Sequence, residues 1–213
     1  MHERPIVLVL ATRNPGKIRE FQALLDGFGV ELRSLNDFGP IPEVVEDGDT
    51  FDENAYKKAS FTAKVLGLPA LADDSGLVVP ALGGAPGVHS ARYAGPGATD
   101  EDNVRRLLEE LSGSADRRAE FVCNISIAVP RGPALTYEAR CEGEITSQPE
   151  GENGFGYDPV FFYPPLGMTF AQLPPEEKNR VSHRGKAMAE LRSEFDKVLI
   201  WLEQRLREEP SFA

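Results

Sequence analysis

The hydrophobic pattern opens with an unbroken apolar run over residues 5–11, the mark of a strand covered on both faces. Asn14-Pro15-Gly16 interrupts it, and Ile18, Phe21, Leu24 and Leu25 then recur at helical spacing until Gly27 and Gly29. Asn14 is a good N-cap and Pro15 suits the first helical position. Strand, tight turn and helix therefore form the opening unit. Residues 30–35 alternate and predict a second strand. After a loop rich in Pro and Gly, Thr50-Phe51-Asp52-Glu53 spells a capping box. It starts a helix that turns Ala55, Ala59, Ala63 and Leu66 inward and ends at Gly67 and Pro69.

Residues 70–73 and 76–80 predict two short strands on either side of Asp73-Asp74-Ser75-Gly76. A loop of Gly and Ala fills 83–98, and Thr99-Asp100-Glu101-Asp102 caps a helix carrying Val104, Leu107, Leu108 and Leu111. Two long strands follow at 118–129 and 134–147, joined by Pro130-Arg131-Gly132-Pro133. Gly151 to Gly156 forms a turn before the strand Val160-Phe161-Phe162. A last helix starts near Ser182 or Gly185 and shows Met188, Leu191, Phe195, Val198, Leu199 and Leu202 on one stripe, with a frayed tail after Arg207. Strands and helices in this order predict an α/β protein with a mixed sheet. With no repeat and no long linker, residues 1–213 form a single domain, with room for two lobes.

Charge narrows the partners. A net charge of −11 repels a polyanion, which argues against DNA or RNA binding but leaves a small anionic ligand open. The run Ile6 to Ala11 is too short to span a bilayer, and His2-Glu3-Arg4 before it, with no small-residue cleavage site after it, gives no signal peptide. Cys123 and Cys141 sit in apolar, strand-like surroundings and read as buried thiols rather than a disulfide framework. The expectation is a cytoplasmic protein without membrane contact. His2 and His89 are given no metal role.

Four segments carry chemistry. Thr12-Arg13-Asn14-Pro15-Gly16-Lys17 joins a buried strand to a helix N-terminus, where free N–H groups, the dipole and Lys17 suit phosphate; alternatively Asn14 merely caps and Lys17 is solvated. It lacks the spacing of a Walker loop. In Leu71-Ala72-Asp73-Asp74-Ser75-Gly76-Leu77 two adjacent carboxylates lie among apolar residues, where each raises the other's pKa. Mg²⁺ would relieve that repulsion through hard oxygen ligands, and a plain Asp-Ser-Gly turn is the other reading. Glu46 can add a carboxylate, whereas Lys57 and Lys58 taken alone read as solvated. Asn153-Gly154-Phe155-Gly156-Tyr157-Asp158-Pro159 offers an aromatic ring between glycines, able either to stack on a base or to tuck into the core. Lys178, Arg180, Arg184 and Lys186 gather cations around Ser182-His183 before the last helix.

Together these segments resemble the inosine/xanthosine triphosphate pyrophosphatases. The matching stretches are residues 12–17, Phe51 to Ala55, Leu71 to Leu77, Leu82 to Gly95, Phe155 to Pro159 and Ser182 to Gly185, in family order. The resemblance implies cleavage of the α–β phosphoanhydride of ITP, dITP, XTP and dXTP to the monophosphate and pyrophosphate, which clears these bases from the nucleotide pool. It assigns the triphosphate to Thr12, Arg13, Asn14, Pro15, Gly16 and Lys17, and a phosphate to Lys58. It assigns Mg²⁺ to Glu46 and Asp74, with Asp74 also accepting the proton of the attacking water. Ser75 would touch the substrate, while Phe155, Gly156, Tyr157, Asp158, Lys178, His183 and Arg184 would hold nucleoside and phosphate. A homodimer is implied, as is a long twisted mixed β-sheet flanked by helices, with two lobes around a central cleft.

An Asp of ordinary pKa, about 3.9, is a poor base for water, so Asp74 needs help from a cation or from Asp73. A donor such as Arg184 aimed at position 6 accepts a keto oxygen and opposes the amino group of adenine; guanine would have to be refused at position 2, by Asp158 or backbone carbonyls. The competing readings are a related pyrophosphatase for pyrimidine or modified nucleotides, and a non-catalytic nucleotide-binding protein.

Overall fold

The computed structural model describes residues 5–207 except the side chain of Leu24; that side chain, His2-Glu3-Arg4 and the tail after Arg207 lie outside the described residues. The first strand, β1 (Ile6–Leu10), runs into α1 (Pro15–Leu25) and then β2 (Val30–Ser34). Next come α2 (Phe51–Leu66), β3 (Ala70–Val78) and α3 (Asp100–Glu110). Then follow β4 (Arg118–Ala128), β5 (Ala134–Ile145), β6 (Phe161–Tyr163), β7 (Met168–Thr169), α4 (Pro175–Val181) and α5 (His183–Arg207). The strands form one seven-stranded sheet in the order β2-β1-β3-β4-β5-β6-β7. It is mixed: β1 pairs in parallel with β2 and β3, whereas β6 pairs antiparallel with β5 and β7.

The caps behave as their residue types require. Asn14 Oδ1 accepts from the N–H groups of Gly16 and Lys17 at 2.8 and 3.2 Å. Thr50 Oγ1 accepts from Glu53 N–H at 3.2 Å, but the Glu53 carboxylate reaches back one residue further, to Asp49 N–H at 2.8 Å. Thr99 and Asp102 close a full capping box at the start of α3. Gly67, with φ +65°, ends α2 in the left-handed conformation that glycine adopts without a Cβ penalty.

The chain forms two compact units: residues up to Asp74 with Asn124–Glu138 and those from Ala187 on, and Ser75–Cys123 with Ala139–Lys186. All four crossings fall inside regular elements, in β3, β4, β5 and α5. In the first unit, Ala59 and Ala63 of α2 pack on Val9, Ala70, Ala72 and Ala128. Small residues there let the helix lie close to the strands. In the second unit, Phe121 and Phe161 meet at 4.5 Å between ring centroids and Phe161 and Phe170 at 4.8 Å, in a core shared with Leu77, Leu107 and Leu111.

Three expectations are corrected. Asp73-Asp74-Ser75-Gly76 does not break the sheet between two short strands; it lies inside the continuous β3. Loop 83–98 contains a six-residue 3₁₀ segment, Gly87–Arg92. The cationic stretch before the last helix is itself a short helix, α4, started by Pro175 at its first turn. Both cysteines are free and buried.

Candidate active site

The connection order sets the geometry. From β1 the chain passes through α1 to β2 on one side, then through α2 to β3 on the other side of β1. Right-handed crossovers in opposite directions leave α1 and α2 on opposite faces of the sheet. The strand order therefore reverses between β1 and β3, and ligands of open α/β sheets bind beyond the carboxyl ends of strands at such a point. Thr12 to Lys17 leave β1 there, beside β3, with Ala11 N–H bonded to Leu71 O at 2.7 Å.

Alternation along β3 then separates the two acids. Asp73, its side chain 1% exposed, pairs with Lys17 of α1 at 2.9 Å. Asp74, 13% exposed, pairs with Lys58 of α2 at 2.7 Å. Two lysines from two helices thus offset the repulsion expected between the adjacent carboxylates. Lys58 Nζ also reaches Glu46 Oε2 at 3.1 Å, so one ammonium bridges Glu46 and Asp74. Lys58 is therefore not a solvated residue. Burial raises the Asp74 carboxyl above its usual range, against the lowering pull of Lys58 and Lys17. Burial alone would lower the Lys58 ammonium, but Asp74, Asp73 and Glu46 together hold it above its ordinary value.

The loop bearing Glu46 is clamped on α2. Gly48 donates to Asn54 Oδ1 at 2.8 Å, and a Cβ at Gly48 would come within 2.7 Å of that same atom. Lys57 pairs with Asp47 at 2.8 Å on the exposed side. The roles of Gly48 and Asn54 were not foreseen. A polar Asn on the buried alanine face of α2 was the available signal.

In the 12–17 turn, the N–H groups of Gly16 and Lys17 are taken by Asn14, Asn14 N–H binds Thr12 Oγ1 at 3.1 Å, and Pro15 has none. Arg13 donates to Leu35 O at 3.0 Å and to Asn36 Oδ1 at 3.4 Å. This turn contains a self-capped helix start and the cation of Lys17, so Asn14 caps as its residue type requires and Lys17 is paired rather than solvated. Glu46 and Asp74 fit Mg²⁺: they are hard oxygen donors already bridged by a cation, the Lys58 ammonium. Mg²⁺ is commonly held by one or two carboxylates completed by water and phosphate. Among the described residues no group of three or more His, Cys, Asp or Glu gathers to bind a metal without such help.

The remaining predicted residues lie in the second unit, where β3 continues through Ser75, which is half-buried. Phe155 is 40% exposed, so its ring is not tucked into the core. Lys178 Nζ lies 4.6 Å and Arg184 Cζ 5.7 Å from its centroid. Asp158 is buried, and its Oδ2 accepts from Lys178 at 2.5 Å and from Phe155 N–H at 2.9 Å. Burial raises its carboxyl, and Lys178 pulls the other way. Asp158 is thus built into the loop that carries Phe155. His183 is buried with its ring stacked on Phe121, at 4.6 Å and 12°. Gly156 and Tyr157 are fixed by Asp100 and by the Ser90 carbonyl, at 2.7 and 2.9 Å.

A profile of the Ham1 family matches residues 8–194. The chain belongs to the Ham1 family. It is 66% identical over 203 residues to a dITP/XTP pyrophosphatase of Syntrophobacter fumaroxidans, covering 95% of this chain and 88% of that protein. It is 62% identical to one of Desulfotalea psychrophila, covering 95% and 91%. Among solved structures, a HAM1 protein from Coxiella burnetii superposes with a TM-score of 0.86 at 43% identity, over 90% of this chain and 99% of that one. The Ham1 protein of Staphylococcus aureus gives 0.84 at 42%, with the same coverage. The Ham1 fold accounts for the mixed seven-stranded sheet and its flanking helices.

Proposed function

We propose that the protein hydrolyses ITP, dITP, XTP and dXTP to the monophosphate and pyrophosphate, and so removes deaminated purines from the nucleotide pool. The observation that carries this is Asp74: a mostly buried carboxylate of raised pKa, bridged to Glu46 by Lys58, in a Ham1 chain 66% identical to a dITP/XTP pyrophosphatase.

Lys17 and Lys58 supply cations for the triphosphate, which would take over part of their pairing with Asp73 and Asp74. Asp74 accepts a proton from water as the water oxygen bonds to phosphorus and the α–β bridging bond breaks, releasing pyrophosphate. A raised pKa makes it a better acceptor than an ordinary Asp. Glu46 and Asp74 would hold Mg²⁺, which when bound acidifies water and neutralises phosphate charge. Phe155 offers a ring to the base, with Lys178 and Arg184 beside it as donors to a 6-keto oxygen. This selects against adenine but not against guanine.

The homodimer and cytoplasmic location belong to the same proposal. No helix among the described residues is long and apolar enough to cross a membrane. The test is pyrophosphate release from ITP, XTP, GTP and ATP, with Mg²⁺ and with a chelator. ITP and XTP should lead and the chelator should stop the reaction; equal rates on all four would overturn the substrate assignment. Sedimentation tests the dimer.

A further inference from the structure

The loop that carries Phe155 is fastened by a helix that the functional reading leaves out. Gly156 has a left-handed backbone, φ +62°, and donates its N–H to Asp100 Oδ2 at 2.7 Å. Asp100 is the first residue of α3, behind the N-cap Thr99. The flanking residues have other anchors. Phe155 N–H binds Asp158 Oδ2 at 2.9 Å, and Tyr157 OH donates to the Ser90 carbonyl at 2.9 Å. Ser90 is itself fixed, accepting from Leu77 N–H at 2.9 Å and donating to Gly87 O at 2.7 Å.

Asp158 and Ser90 are buried, so those two anchors are set by the core. Gly156 is the pliant link between them, since glycine has several backbone conformations of similar energy. What selects one of them is the acceptor that its N–H finds. We propose that Asp100 is a positioning residue, which holds the Gly156 peptide and thereby sets the attitude of the Phe155 ring toward the base. This rests on the reading of Phe155 as the base-stacking residue. The plain alternative is that Asp100 only complements the dipole of α3, as its neighbours Glu101 and Asp102 do.

The experiment compares Asp100→Ala, Asp100→Asn and Glu101→Ala with the parent protein. It measures KM and kcat for ITP, Kd for IMP by calorimetry, and amide hydrogen exchange across residues 155–157. Asp100→Ala should raise KM and Kd roughly two- to tenfold, the range to which one net hydrogen bond converts. It should leave kcat within about twofold, because the bond serves binding and not the reacting atoms. Exchange at 155–157 should speed up. Asp100→Asn keeps an acceptor oxygen and should restore most of the loss. Glu101→Ala removes a charge from the same helical turn and should change none of these readouts. Parent-like KM, Kd and exchange in Asp100→Ala, or equal effects in Glu101→Ala, would overturn the proposal. A parent protein inert toward ITP would instead overturn the functional reading, and the exchange comparison alone would then decide whether Asp100 holds the loop.

Discussion

Asp73 and Asp74 are sequence neighbours that answer to different helices: Lys17 of α1 holds one at 2.9 Å and Lys58 of α2 holds the other at 2.7 Å. Strand alternation and the reversal of strand order at β1/β3 make this unavoidable once α1 and α2 lie on opposite faces. The roles of the two acids follow. Asp73 pairs with Lys17, while Asp74 shares Lys58 with Glu46 and is the acid to which the proposed function gives the reaction.

Asp74→Asn keeps the shape of the side chain and removes the proton acceptor. We expect pyrophosphate release from ITP to fall by about 10²-fold or more, with the circular dichroism spectrum unchanged. Turnover near the parent rate would remove Asp74 from the reaction.

Lys58→Met leaves Asp74 and Glu46 without their shared counter-charge. Breaking a largely buried pair costs about 3–5 kcal/mol, and the partial exposure of these side chains points to the lower end or below. Thermal melting in chelator should show the loss. Adding Mg²⁺ should restore part of it in this variant, since another cation then meets the same oxygens. An unchanged melting temperature in chelator would contradict the bridge.

The Lys58 ammonium also carries a pH signature in the metal-free protein. Its folded pKa is raised above 10.5, the value the unfolded chain would show. The stability it contributes is therefore complete below pH 10.5 and fades as pH rises through the higher folded value. Urea midpoints measured from pH 8 to 12 should fall less steeply at the alkaline end in Lys58→Met than in the parent. Parallel curves would place the alkaline loss elsewhere.

Gly48→Ala tests the clamp under Glu46. The new methyl would stand 2.7 Å from Asn54 Oδ1 and 2.9 Å from Glu53 Cβ, so the loop must shift. Such crowding costs about 1–3 kcal/mol, and the Mg²⁺ concentration needed for half-maximal activity should rise. An unaltered Mg²⁺ titration would free Glu46 from any dependence on that contact.

Cys141 is fully buried and its thiol is pushed up to about 11, first by burial. Native protein at pH 8 should take almost no iodoacetamide at this position over an hour, and unfolded protein should label readily. Mass spectrometry of the labelled peptide decides; rapid native labelling would contradict its placement.

Much of this was legible beforehand where one residue type has one physical use. Asn14-Pro15, Thr50 and the Thr99–Asp102 box start helices as their side chains require. The ordered segments around Lys17, Asp74, Phe155 and Arg184 pointed to the Ham1 chemistry. The break placed at Asp73-Asp74 was wrong because charge and glycine content say nothing of partners: two lysines distant in sequence make the strand tolerable there. Lys58 looked solvated for the same reason, its partners Glu46 and Asp74 being brought to it by tertiary structure. The pairing of Asp158 with Lys178 was likewise hidden, because the two are twenty residues apart in sequence.

The interleaving of the two units bears on how the protein is made. The amino-terminal half of the sequence supplies β1, β2, α1 and α2, yet the unit they belong to also takes Asn124–Glu138 and the chain from Ala187 on. Phe28 and Phe195 meet there at 4.8 Å between ring centroids. During synthesis, the turn that carries Lys17 and the strand that carries Asp74 leave the ribosome long before the helix that completes their unit. The nucleotide site cannot mature segment by segment as the chain emerges, and a message cut short before α5 would yield an incomplete first unit rather than a smaller working enzyme.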